Sequence, residues 1–266
     1  MNDERQPAKT ASILRWLTVG AASYLGWLIA MIMFIIIFPF LAIAGLVDRS
    51  GSYQALRGVL AGFLRWFFLG YLSFIRLHRF AEIPPREMIE GTAPCVFVAN
   101  HRSWLDAILA ISIFPNVRLP VKSSYMKVPL IGLAIRWMGC IPMDRTSNES
   151  IVAGIAQCRH ALAHGSSLFV FPENTRAKRG KMLAFSEVFF RVALEADVPV
   201  VPVLLHSDIP YLSPEEGSML TFARATWRIR VFDPLPRDKR DRASDLSRMA
   251  KRMMTAGLAD LSDDRP

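Results

Sequence analysis

The chain has 266 residues, which is enough for one domain of ordinary size with a substantial core and an additional anchoring segment. Hydrophobic residues make up 52% of it, and its formal net charge is +9 at pH 7. A basic, apolar-rich chain of this kind is expected to meet either nucleic acid or an anionic membrane surface. The cysteines Cys95, Cys140 and Cys158 form no CxxC pair and lie in apolar or helical contexts, which excludes a disulfide framework and predicts reduced, buried thiols.

In the N-terminal region, a long apolar stretch follows a polar N-terminus. Residues 1–15 form the polar start, whereas Trp16–Val47 contains no charged residue. A bilayer core is about 30 Å thick and a helix needs about 20 residues to cross it, so this stretch is predicted to span with tilt or to bend back near Pro39. A cleaved secretory signal is the weaker alternative, because its apolar region would be only about 7–15 residues long. This distribution favours membrane lipids over nucleic acid as the partner.

A second helical stretch, Ser52–Arg76, intersperses aromatic residues with arginines. Rings and cations of this kind suit the headgroup boundary of a membrane, and the alternative is a helix packed on the globular core. Pro84-Pro85 ends this region, because successive prolines cannot continue a helix. We therefore predict a membrane-anchoring helical segment over residues 16–83 and a globular domain over residues 84–266. We expect that domain to lie on the cytoplasmic face of the inner membrane. The apolar segment before it either crosses the membrane once or forms a re-entrant hairpin.

Beyond the two prolines, apolar runs alternate with helical patterns. Strands that alternate with helices predict an α/β sandwich built on a mostly parallel sheet. The predicted strands are Cys95–Ala99, Val117–Val121, Ile141–Met143, Ser167–Phe171, Val198–Leu205 and Trp227–Phe232. The predicted helices are Trp104–Phe114, Pro129–Met138, Glu149–Ala163, Ser186–Ala196 and Ala243–Leu258.

The most informative motif is the pair His101 and Asp106, directly after the predicted strand Cys95–Ala99. Ser103 is a good N-cap, so Asp106 falls in the first turn of the next helix, where the helix dipole keeps it ionised. From there its carboxylate can reach back to the imidazole of His101. A carboxylate bonded to one ring nitrogen fixes the tautomer and leaves the other nitrogen free as a general base. Taken alone, such a pair is often structural.

Further polar residues follow other predicted strands. Lys122 and Arg145 each come just after a strand, and a longer cluster follows Ser167–Phe171, namely Glu173-Asn174-Thr175-Arg176. Because the carboxyl ends of parallel strands meet at one edge of a sheet, we expect these side chains to converge near His101. Guanidinium groups hold phosphate bidentately, so Arg145 and Arg176 predict a phosphate site beside the base.

Four sequence blocks in this order resemble the lysophospholipid acyltransferase family, also called the glycerolipid acyltransferases. The resemblance covers roughly residues 94–205, and the basic, apolar N-terminal segment also fits it. The matching residues are His101 and Asp106 of the HX4D motif, Pro129, Gly132 and Arg145 of the second block, Phe171-Pro172-Glu173 with Thr175-Arg176 of the third, and the run Val-Pro-Val-Val-Pro-Val at residues 198–203 of the fourth.

The resemblance implies an enzyme that moves a fatty acyl chain from acyl-CoA or acyl carrier protein to the hydroxyl of a lysolipid, with 1-acylglycerol-3-phosphate as the default acceptor. It implies His101 as the base, Asp106 as its orienting residue, and no cofactor or metal ion. Backbone N–H groups at residues 103–106 are candidate donors to the oxyanion. Glu173 is expected either to position the acceptor or to brace the loop of Arg176. The implied substrate-binding residues are Lys122, Arg145, Glu173, Asn174, Thr175 and Arg176.

Two positions depart from the family pattern. Asn174 stands where the third block usually has glycine, and asparagine is the side chain that best tolerates the left-handed backbone conformation. Because its amide would lie near the acceptor, an acceptor other than 1-acylglycerol-3-phosphate, such as a lyso-aminolipid, remains an alternative. Ser124-Tyr125 stands where Glu-Leu is frequent, which again bears on substrate choice.

The sequence does not fit two other functions. A serine lipid hydrolase would need a G-x-S-x-G elbow, and the run Gly165-Ser166-Ser167-Leu168-Phe169 does not match it. A non-catalytic lipid-binding protein would have no use for the free base that His101 and Asp106 predict.

Overall fold

The chain forms a mostly parallel β-sheet with helices on both faces, preceded by a long apolar helix. The structure is a computed structural model and describes residues 6–47, 53–75, 77–114, 116–144, 146–177, 181–209, 224–238 and 242–263. The α-helices are α1 (Gln6–Val47), α2 (Gln54–Arg65), α3 (Leu72–Phe74), α4 (Arg86–Glu90), α5 (Leu105–Ile113), α6 (Ile131–Trp137), α7 (Asn148–Ala163), α8 (Val188–Glu195) and α9 (Ala243–Asp263), with a π-helix at Trp66–Tyr71 and a 3-10 helix at Ser123–Lys127. The strands are β1 (His78–Glu82), β2 (Val96–Ala99), β3 (Val117–Arg118), β4 (Pro120–Lys122), β5 (Ile141–Met143), β6 (Ser167–Val170), β7 (Val200–Ser207) and β8 (Ala225–Val231).

Six strands form the main sheet in the order β1-β8-β7-β2-β6-β3, and β4 pairs with β5 in a second, two-stranded sheet. Every neighbouring pair is parallel except β7 and β8. The predicted α/β sandwich with a mostly parallel sheet is confirmed.

The central strand β2 is buried on both faces, which explains why its sequence is a continuous apolar run. Val96 and Val98 belong to the core beneath α7, α8 and α9. Phe97 and Ala99 belong to the opposite core, which contains residues of α2 and α5. The strand ends at Ala99, so the polar residues that follow lie at the carboxyl edge of the sheet.

Two strands differ from the sequence prediction. The run Val117–Val121, predicted as one strand, is divided, because β3 pairs with β6 whereas β4 pairs with β5. Pro120 has no N–H to continue the first ladder, and the chain changes sheets there. Strand β1 has no counterpart among the predicted strands, since exposed Arg79 separates His78 from Phe80 and hides the short apolar pattern. It pairs with β8, so the main sheet includes residues that precede Pro84.

Helix α1 is continuous through Pro39, so the apolar stretch does not bend back within itself. Instead, α2 and the π-helix return along α1, and the ring centroids of Trp27 and Phe67 lie 6.2 Å apart. By length and composition, two helical stretches could cross a membrane, Leu17–Val47 and Ala55–Phe74.

The buried side chain of His78 in β1 joins this helical segment to the sheet. Its ring centroid lies 6.4 Å from that of Phe68 in the π-helix and 6.0 Å from that of Trp227 in β8. Burial lowers the pKa of His78 to about 4. A histidine in the unfolded chain keeps a pKa of about 6.5. Unfolding therefore takes up a proton between these two values, and stability rises with pH across that window.

We expect His78→Phe to weaken the acid sensitivity of the fold. His78 should lower the free energy of unfolding by about 2 kcal/mol at pH 5 relative to pH 7, and a phenyl ring in its place cannot be protonated. The check is the thermal unfolding midpoint of the detergent-purified protein at both pH values. The same change at exposed His164 is the control. Equal pH dependence in wild type and His78→Phe would contradict this account.

Candidate active site

The loop between β2 and α5 brings His101 and Asp106 together. Nδ1 of His101 lies 2.9 Å from Oδ2 of Asp106, whose side chain is only 2% exposed. The same oxygen accepts hydrogen bonds from the backbone N–H groups of Arg102 at 2.6 Å and Ser103 at 2.7 Å. The contact that the spacing predicts is therefore present, and the carboxylate also closes the loop that carries the histidine.

This arrangement determines the state of the imidazole of His101. A carboxylate oxygen can only accept, so Nδ1 carries the proton and Nε2 presents its lone pair. The ring stacks on Phe171 with centroids 4.2 Å apart, which fixes its plane. The side chain remains 21% exposed and lines a cavity. The geometry suits a general base whose reactive nitrogen is accessible to a substrate.

The N–H groups at the start of α5 are already engaged. Besides the two that donate to Asp106, the N–H of Leu105 donates to Oγ of Ser103 at 3.0 Å, and that of Asp106 donates to the carbonyl of Ser103 at 3.3 Å. Ser103 thus acts at the helix start as predicted. Three of the four N–H groups at residues 103–106, those of Ser103, Leu105 and Asp106, therefore close the loop itself, and stabilisation of an oxyanion by this segment stays a prediction.

The carboxylate of Glu173 holds the backbone of His101. Its Oε1 accepts from the backbone N–H of His101 at 3.0 Å, and its Oε2 accepts from the N–H of Leu183 at 2.8 Å. The side chain is buried, and burial raises its pKa, although both hydrogen bonds oppose that rise. Glu173 is not among the described residues that line the cavity. Glu173 was predicted either to position the acceptor or to brace the loop of Arg176, and the contacts in the structure are those of a bracing residue.

A second bond between the two loops completes the brace. The backbone carbonyl of His101 accepts from the N–H of Ala177 at 2.7 Å. Both backbone polar groups of His101 are therefore held by the segment that follows β6. Asn100 ties the same loop to β7, since its amide donates to the carbonyl of Leu205 at 2.9 Å and accepts from its N–H at 2.8 Å. The sequence gives no role to Asn100, although an amide is the side chain that can donate and accept at once.

The cavity beside His101 has a volume of about 510 Å³ and collects most of the predicted substrate-binding residues. Those that line it are Lys122, Asn174, Thr175 and Arg176. Arg145 lies outside the described residues, while Asp144 and Thr146 line the cavity. Within the described ranges, no group of three or more His, Cys, Asp or Glu side chains is placed to hold a metal ion.

Asn174 adopts the left-handed conformation that its place in the motif predicts, with φ of 67°. Few side chains tolerate this conformation, and asparagine is one of them. The turn between Phe171 and Asn174 is closed by a backbone hydrogen bond of 3.1 Å. Asparagine therefore preserves the loop that glycine forms in the family pattern and adds an amide to the cavity wall.

Two aromatic side chains, Trp104 and Tyr125, line the cavity together with Arg176. The guanidinium of Arg176 lies over the ring of Trp104, 4.7 Å from its centroid. Trp104 in turn meets Tyr125 edge to face, with centroids 5.3 Å apart. Stacking of this kind uses the face of a guanidinium, whose N–H groups lie at the edge of its plane. No sequence signal links Trp104 to Arg176, because 71 other residues separate them.

The comparisons with known proteins agree with this site. Residues 81–206 match the Acyltransferase family model. A 1-acyl-sn-glycerol-3-phosphate acyltransferase from Brassica napus, BAT2, chloroplastic, is 37% identical over 112 residues, which are 42% of this chain and 33% of that protein. The 1-acyl-sn-glycerol-3-phosphate acyltransferase alpha of Ovis aries is 27% identical over 198 residues, 73% of this chain and 67% of that protein. The chain thus aligns with about a third of the length of the first of these curated relatives.

A solved structure extends the likeness to the whole fold. The crystal structure of the 1-acyl-sn-glycerophosphate (LPA) acyltransferase PlsC from Thermotoga maritima superposes with a TM-score of 0.71 and 19% sequence identity, covering 97% of this chain and 99% of that one. At this identity the likeness establishes the fold and not the chemistry.

We expect Glu173→Gln to destabilise the site although the side chain keeps its shape. The amide NH₂ would face the N–H of either His101 or Leu183, and one buried donor would lose its acceptor at a cost of about 1–3 kcal/mol. The check is the thermal unfolding midpoint of the purified protein. Glu187→Gln, at an exposed position, is the matched control and should leave the midpoint unchanged. An unchanged midpoint in Glu173→Gln would show that its two hydrogen bonds contribute nothing.

Proposed function

We propose that this chain transfers a fatty acyl group from acyl-CoA or acyl carrier protein to the free hydroxyl of 1-acylglycerol-3-phosphate, forming phosphatidic acid for phospholipid synthesis. The observation that carries the proposal is the 2.9 Å contact between His101 and Asp106, in a cavity that also holds Lys122 and Arg176. The activity in the names of the relatives supports the same reaction.

The proposed reaction uses the free nitrogen of the imidazole. Nε2 of His101 takes the proton of the acceptor hydroxyl as its oxygen attacks the carbonyl carbon of the thioester. Asp106 holds the ring and stabilises the imidazolium that forms. The tetrahedral intermediate then collapses, the carbon–sulfur bond breaks, and the imidazolium returns the proton to the leaving thiolate. This sequence needs no covalent acyl-enzyme and no metal ion or other cofactor.

The proposed contact for the acceptor phosphate is the N–H edge of Arg176. Its guanidinium face is occupied by Trp104, which holds the group in one orientation at the cavity wall. Planar, oriented guanidinium groups bind phosphate bidentately. Lys122 at the end of β4 adds a second cation, and Arg145 is assigned the same role from the sequence alone.

We further propose that the chain acts at the cytoplasmic face of the inner membrane. The long apolar helix α1 supports membrane association. The reduced state expected of a cytoplasmic domain is supported by three cysteines that are buried and free, and burial raises the pKa of each thiol to about 12.

His101→Ala should abolish acyl transfer while the protein stays in the membrane. General-base catalysis is worth about 10²–10⁴ in rate, so the rate should fall by at least that range. The measurement is transfer of a labelled acyl group from acyl-CoA to lysophosphatidic acid by isolated membranes, with membrane retention followed by sedimentation. His164→Ala, at an exposed position, is the control. Retained transfer in His101→Ala would rule out this mechanism.

Arg176→Ala should weaken binding of the phosphate acceptor more than it slows turnover of a neutral one. Loss of a charge-assisted bond costs about 1.5–3 kcal/mol, so KM for lysophosphatidic acid should rise at least tenfold. The measurement compares lysophosphatidic acid with monoacylglycerol as acceptors. Arg159→Ala, at an exposed arginine paired with Glu195, is the control. An equal loss with both acceptors would remove Arg176 from phosphate recognition.

A lyso-aminolipid is the second candidate acceptor, and two cavity residues favour it. Asp144 lines the cavity, and hydrogen bonds from Thr146 lower the pKa of its carboxyl, so a negative charge is available to an ammonium group. The amide of Asn174 lies on the same wall. Including a lyso-aminolipid in the acceptor panel distinguishes the two proposals.

A further inference from the structure

A second cavity, of about 600 Å³, lies between α2 and the C-terminal end of α5. Its volume is within the range of small-molecule sites, about 300–1,000 Å³. It shares no described lining residue with the cavity at His101. Helix α5 has nine residues and is therefore about 13 Å long, so the two cavities stand at opposite ends of one short helix.

One face of α2 lines one side of this second cavity. Arg57, Gly58, Ala61, Gly62 and Arg65 line it, at positions that fall on the same side of a helix. The three small residues leave room between the two arginines. A Cβ atom added at Gly58 or Gly62 would have no neighbour within 4 Å, so the space above them is open.

The lining is cationic. Arg86 faces the cavity in addition to Arg57 and Arg65, and the described lining residues include no aspartate or glutamate. Arg57 is 9% exposed, and its Nη1 donates to Oδ1 of Asn116 at 3.4 Å. Arg86 pairs with Glu90 at 2.6 Å outside the cavity, whereas Arg65 has no ion pair among the described residues. A phosphate would meet at least one uncompensated guanidinium.

The other described lining residues are Pro84 and three isoleucines beside the polar Ser112 and Asn116. Ile89, Ile111 and Ile113 line the side opposite α2. On the same helical segment, Val59 and Trp66 are 52% and 47% exposed, so apolar side chains also lie on the outside of the protein. A free phosphate ion would gain nothing from these walls, while a lipid would place glycerol and its first methylene groups against them.

We propose that this cavity binds the anionic headgroup of a membrane phospholipid, separately from the substrates of acyl transfer. The guanidinium groups hold the phosphate, and the isoleucines cover the glycerol end of the acyl chains. The ligand differs from the acceptor because the described lining of this cavity shares no residue with that of the cavity at His101. Binding needs neither acyl transfer nor an intact bilayer, so its test is independent of the function proposed above.

The test measures binding to the detergent-purified full chain by thermal unfolding. Short-chain phosphatidylglycerol is compared with short-chain phosphatidylcholine and with inorganic phosphate. At a concentration about tenfold above its Kd, the anionic lipid should raise the unfolding midpoint by about 3–6 °C. An equal rise with inorganic phosphate or with the zwitterionic lipid would overturn the proposal, as would no rise with phosphatidylglycerol.

Variants that fill the cavity distinguish binding at this site from nonspecific electrostatic attraction of an anionic lipid to a basic protein. Gly62→Leu should remove the midpoint shift, because its side chain enters the open space, whereas Gly62→Ala should retain most of it. The double change Arg65→Ala with Arg86→Ala should weaken binding at least tenfold. Arg252→Ala, at an exposed position of α9 across the sheet, is the charge control. An undiminished shift in Gly62→Leu, or an equal loss in Arg252→Ala, would overturn the proposal.

Discussion

One carboxylate oxygen holds together the loop between β2 and α5. Oδ2 of Asp106 accepts from the imidazole of His101 and from the backbone N–H groups of Arg102 and Ser103. Its position in the first turn of α5 places the negative charge where the helix dipole favours it. Because three donors converge on this atom, the loop geometry and the tautomer of the imidazole are fixed together. The same convergence removes the loop N–H groups from direct contact with a substrate.

The third sequence block continues this construction from the other side of the site. Glu173 and Ala177 hold the two backbone polar groups of His101, so the histidine cannot move without the loop after β6. The positive φ of Asn174 reverses the chain between the buried carboxylate of Glu173 and the half-buried cation of Arg176. Consequently Glu173 supports the base from inside while Arg176 lies at the cavity against Trp104. Residues 173–176 therefore contribute both to the support of His101 and to the wall of the cavity.

The sequence predicts those parts of the site that depend on spacing within one segment. The contact between His101 and Asp106 and the backbone conformation of Asn174 are of this kind, since each is determined by a few consecutive residues. The pairing of Arg176 with Trp104 depends on how distant segments fold together, and residue types alone do not encode it. Strand β1 was missed for a related reason: its partner β8 lies more than a hundred residues away, and its own five residues carry no continuous apolar run.

The two cationic cavities at the ends of α5 differ in what surrounds the charge. At the end that carries His101, the ring of Trp104 lies against the guanidinium of Arg176, and Asn174 adds a hydrogen-bonding group. Acyl transfer requires an acceptor held in one orientation, because the reacting oxygen must meet the base within hydrogen-bonding distance. At the other end, the arginines of α2 face isoleucines and open space. Such a site attracts a headgroup without fixing its rotation, which suffices for a lipid that is held at the surface and does not react.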